Sequence, residues 1–77
     1  MQDRLTRGQV VAGMNVVILA LQSKYVSPAK CAYNAGTRIF STEFGCIAEP
    51  LVLAAANGDA RGLYRWVNNA VMHTRRN

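Results

Sequence analysis

The chain has 77 residues, with Cys31 and Cys46 as its cysteines and His73 as its histidine. That set lacks metal-ligand spacing, so the sequence predicts no metal centre. A cysteine nucleophile would need His73 beside it, and no local motif supports the pairing. Paired-carboxylate chemistry would have to use Glu43 and Glu49, yet both fall in a connecting region. No glycine-rich phosphate loop is present. We therefore expect a non-enzymatic protein with no catalytic residue, no metal and no cofactor.

Arginine is the remaining chemistry. Nine Lys+Arg against four Asp+Glu give a formal charge of +5, a balance that favours acidic partners. Two stripes stand out at helical spacing. Arg61, Tyr64, Arg65, Asn69 and Arg76 mark the outer side of a C-terminal helix. Lys30, Asn34 and Arg38 mark a second. Both are candidate partner-binding surfaces; the plain alternative is a solvated polar face. Tyr64 suits partner contact, whereas Trp66 falls in the apolar stripe.

The elements that hold these residues follow from periodicity. Gly8 to Ser23 is the longest uncharged run, apolar through Val10–Leu21 except at Gly13 and Asn15. It predicts a buried central helix from about Arg7 to Lys24, with Thr6 as N-cap and Gln9 at the capping-box position. Its twelve-residue apolar core covers about 18 Å of helix, short of a ~30 Å hydrocarbon layer. Ser27-Pro28 reads as a helix start, predicting a second helix to about Phe40 in which Gly36 costs about 1 kcal/mol. Ser41 to Cys46 reads as a connection. Glu49-Pro50 begins a third helix through Ala56, stopped by Asn57-Gly58. Asp59 precedes a fourth, Ala60 to Arg75, with Leu63, Trp66, Val67, Ala70 and Val71 on one side.

The fold expected is therefore all-α: a single domain over 1–77, with about four helices around a buried hydrophobic helix, Gly8–Ser23. A core this small supplies about 3–5 kcal/mol. Free buried thiols are the expectation for the cysteines, with one disulfide as the alternative.

Several short pieces resemble the C-terminal lobe of phage-type lysozymes: Tyr33-Asn34-Ala35-Gly36 followed by Phe40, Asn57-Gly58-Asp59, Arg65-Trp66 and Thr74-Arg75-Arg76. Ala32–Gly36 is also similar to a motif of lytic transglycosylases. The resemblance covers roughly the last 45 residues of the chain and implies a phage or prophage protein with a helical lobe. The segment that would carry the family's catalytic glutamate has no counterpart here, so no catalytic residue is carried over.

The expected function is an interaction or inhibitor module that binds the acidic surface of a host or phage protein in the bacterial cytoplasm. Nucleic-acid binding by the same arginines, a peptidoglycan-associated remnant and a small membrane protein are the alternatives. A second copy of the chain is a further partner to test, and a membrane is disfavoured by the short apolar run.

Overall fold

The computed structural model describes residues 4–24 and 26–75. Among them the chain runs α1 (Arg7–Gln22), β1 (Cys31–Asn34), β2 (Ile39–Thr42), β3 (Gly45–Ala48), α2 (Glu49–Ala56) and α3 (Arg61–Arg75). The three strands form an antiparallel meander in the order β1-β2-β3. The protein is thus α+β, with three helices on a small sheet, and not the all-α four-helix bundle that periodicity led us to expect.

The helix expected over Pro28–Phe40 is the correction that matters most. Ser27 and Pro28 lie in the irregular segment that leads into β1, so this pair does not present the serine cap and proline first turn of a helix. Asn34 then makes a turn where a helix would continue. Its Oδ1 accepts from the amides of Gly36 (2.8 Å) and Thr37 (3.2 Å), and the Arg38 amide donates to the Asn34 carbonyl. Arg38 has φ +58°, a left-handed position that closes the turn and that a helix cannot use.

Ser41 to Cys46, expected as a connection, is instead a second hairpin. Thr42 faces Gly45 across it. The Thr42 hydroxyl accepts from the Phe44 amide (3.0 Å) and donates to the Gly45 carbonyl (2.9 Å). Gly45 sits at φ +137°, which a side chain would strain. Tyr33, Ile39, Phe40, Thr42 and Ile47 are the β-branched and aromatic types that suit a half-buried pleated surface.

Register decides which residues enter the core. Tyr33 pairs with Phe40, and Phe40 with Ile47. Phe40 and Ile47 are buried, and the Tyr33 ring lies 4.6 Å from that of Phe40. Period two puts Ala32, Ser41 and Cys46, and Asn34, Ile39 and Ala48, on the opposite side.

Phe40 and Ile47 join Val17, Ala20 and Leu21 of α1, Val52 and Ala55 of α2, and Leu63, Val67 and Val71 of α3 in one core. Gly13 lets α1 approach the sheet: a Cβ there would lie 2.7 Å from Phe40 Cζ and 3.0 Å from Val52 Cγ1.

α1 begins where the sequence predicts. Thr6 accepts from the Gln9 amide (3.1 Å) and donates its own amide to Gln9 Oε1 (2.8 Å). It is not, however, buried on all sides. Gly13, Val17, Ala20 and Leu21 are covered, while Gly8, Val11, Ala12, Asn15, Leu19 and Gln22 are exposed. A sheet and two helices cover one side of α1, where a surrounding bundle would cover all of it.

Candidate functional site

α3 is the most amphipathic helix, because Leu63, Val67 and Val71 fall on one side and its arginines and asparagines on the other. Leu63 and Val67 are fully buried and Val71 nearly so. Ala60 and Trp66, half-buried, pack against the same core. Successive residues turn by about 100°, so Arg61, Arg65, Asn68 and Met72 share the opposite side, with Asn69 and His73 along one border and Tyr64 along the other. All of these are exposed, Tyr64 at 40% and Met72 at 69%.

The charge on this surface has one sign. From Ala60 onward the sequence contains no acidic residue. Arg61 Nε donates to Asp59 Oδ1 at 3.0 Å, and that arginine holds the Asp59 carboxyl below the usual carboxylate range. Both partners face solvent, with side-chain exposures of 88% and 57%, so water screens the pair. Arg65 makes no ion pair among the described residues. Elsewhere, Glu43 is the other exposed acid among the described residues, because Glu49 is buried.

The structure brings together Arg61, Tyr64, Arg65 and Asn69. Arg76 lies outside the described residues. Asn68, Met72 and His73 belong to the same surface; the 3.6-residue period that marks Arg61 and Arg65 runs through His73 as well, and it would have found Asn68 and Met72.

The second predicted stripe is dispersed by the β-structure. Lys30 precedes β1, and its amide donates to Glu43 Oε1 at 3.2 Å. Asn34 is consumed in the first hairpin turn, and Arg38 closes that turn. These three residues serve local geometry and share no helical side.

Glu43 and Glu49 do not form a dyad. Glu43 lies in the β2–β3 turn, whereas Glu49 follows Ala48 at the far end of the same hairpin. Glu49 is 7% exposed, and its Oε1 accepts the Tyr33 hydroxyl at 2.6 Å. That hydrogen bond is the main cause of a raised Tyr33 pKa, followed by desolvation. The arrangement ties β1 to the start of α2.

Cys31 and Cys46 are free thiols. They lie on the two outer strands with β2 between them and point to opposite sides of the sheet. Burial pushes the Cys31 thiol up to about 11. An open groove of about 250 Å³ runs past Lys30, Cys31, Ala32, Ser41, Thr42 and Glu43. Among the described residues no group of three or more His, Cys, Asp or Glu could hold a metal ion.

No family model, curated protein or solved structure matches this chain. The pieces that resemble the lysozyme lobe are distributed across the fold. Tyr33–Gly36 spans the end of β1 and the following turn, Asn57–Asp59 links α2 to α3, and Arg65-Trp66 lies on α3.

Proposed function

We propose that the protein is a non-enzymatic binding module that docks on an acidic protein surface through the exposed side of α3. The observation that carries this reading is the composition of that side: Met72 among Arg61 and Arg65, with Tyr64 at the border and no acidic residue from Ala60 onward. Arginine, tyrosine and methionine are enriched where proteins bury surface against one another. A buried core stripe beneath them keeps the helix rigid, so little ordering entropy is lost on docking.

The mixture favours protein over nucleic acid. A phosphate-tracking surface gains chiefly from added cations, and exposed Met72 between the arginine and asparagine positions contributes nothing to that. It contributes a good deal to an apolar patch inside a charged rim.

The test is a pull-down from nuclease-treated bacterial lysate with wild-type protein and with R61E/R65E. Both arginines are exposed, so helicity should persist while capture of acidic proteins falls at least tenfold, about 1.4 kcal/mol. Equal capture by the variant contradicts the assignment. Capture that vanishes with nuclease transfers the surface to nucleic acid.

A further inference from the structure

α1 carries a second exposed surface of different chemistry. Val11 is 46% exposed and Leu19 63%, with Ala12 exposed between them. A solvated helix usually charges its outer side, but Gly8 to Ser23 contains no charged residue at all. Asn15 and Gln22 are the polar groups on this side. The ends differ sharply. Arg4 and Arg7 precede the run, both exposed, and Lys24 follows it. No acid occurs between Arg4 and Lys24.

An apolar side with cations at both ends matches an anionic bilayer surface. α1 has 16 residues, about 24 Å against a ~30 Å hydrocarbon layer, and no described helix is long and apolar enough to cross a membrane. It can lie in the interface without spanning it. A second copy fits less well. Two α1 helices would bring Arg4, Arg7 and Lys24 of both copies together at their ends, where like charges oppose association.

We propose that α1 docks on an anionic lipid surface. Val11 and Leu19 enter the boundary between headgroups and acyl chains, and Arg4, Arg7 and Lys24 meet the lipid phosphates. This surface shares no residue with the α3 site and stands independently of it.

Co-sedimentation with vesicles tests the proposal. Wild-type protein should bind phosphatidylcholine vesicles containing phosphatidylserine, and not phosphatidylcholine alone. V11N/L19Q keeps the net charge and should weaken binding by about tenfold or more, with circular dichroism unchanged. Each of Arg4 and Arg7 replaced by Gln should cost about fivefold. If V11N/L19Q loses helicity, L19Q alone is read in its place. The proposal is overturned by the absence of binding to either vesicle. It is also overturned if V11N/L19Q binds like wild type, since bulk charge then suffices. A dimer in sedimentation velocity that V11N/L19Q dissolves would overturn it too, because a second copy would then cover the surface.

Discussion

Replacing Gly13 by alanine tests the junction between α1 and the sheet. The new Cβ would stand 2.7 and 2.9 Å from Phe40 Cζ and Cε2 and 3.0 Å from Val52 Cγ1, where carbon atoms prefer about 3.5–4.0 Å. Phe40 and Val52 are both 0% exposed, and the Phe40 ring is held against Tyr33. Neither neighbour has room to retreat. Overpacking of this kind costs about 1–3 kcal/mol. Alanine regains about 1 kcal/mol of helix propensity. The upper part of the overpacking range applies, giving a net loss of about 1–2 kcal/mol and a fall in Tm of roughly 5–15 °C for a domain of this size. G8A is the control. Gly8 is exposed, and the nearest atom to its added Cβ is Thr6 Oγ1 at 3.9 Å, so this substitution should be neutral or stabilising by up to about 1 kcal/mol. In urea melts beside wild type, G13A should therefore lose stability and G8A should not. If G13A gains stability as G8A does, Phe40 is not packed against α1 and the sheet register is wrong.

Two further outcomes follow from the same core. Tyr33→Phe removes the donor to Glu49, so Tm should fall near neutral pH. Because the folded phenol is held above its ordinary value, the neutral form is favoured in the folded state. That contribution is fully present below the unfolded value of about 10 and is lost as pH climbs through the raised folded value. The gap between wild type and variant in urea melts should hold steady up to about pH 10 and narrow above it; a gap that stays constant there as well would place Tyr33 away from Glu49. The cysteines should also separate in alkylation near pH 8. With its thiol raised to about 11, Cys31 is about one part in a thousand thiolate there, whereas Cys46 is exposed. Peptide mapping should find Cys46 modified at least tenfold faster. Mild oxidation should give no Cys31–Cys46 bridge, because β1 and β3 stand about 9.5 Å apart against a Cα limit of about 7 Å. An intramolecular disulfide in the mass spectrum would contradict the strand order.

The helices were readable because their signals are local. Thr6 with Gln9, Pro50 after Glu49, Asn57-Gly58, and the strict period of Leu63, Val67 and Val71 all act within a few residues. The sheet was not readable. Its strands have four residues each, too short for alternation to beat a 3.6-residue pattern over the same letters. Cys31, Ala32, Ala35 and Ile39 fit a helical face on paper. Pairing Tyr33 with Phe40 and Phe40 with Ile47 separates the same residues in space. Asn34 before Gly36 was the available turn signal, and Ser27-Pro28 masked it by resembling a helix start.

Arg61, Arg65 and Asn69 share one exposed side because α3 is a helix. Lys30, Asn34 and Arg38 do not, because their stripe rested on the helix that became a hairpin. The degree of exposure of α1 was also out of reach: an uncharged run reads as buried whether a partner covers it or not.

The central claim is that α3 presents the working surface, and calorimetric titration measures it most directly. A partner recovered from the nuclease-treated lysate is titrated into wild-type protein, R61E/R65E and V11N/L19Q at one ionic strength. Weakening of at least tenfold in R61E/R65E, with V11N/L19Q equal to wild type, is the expected result. Equal affinity for wild type and R61E/R65E, or loss only in the α1 variant, would contradict the account.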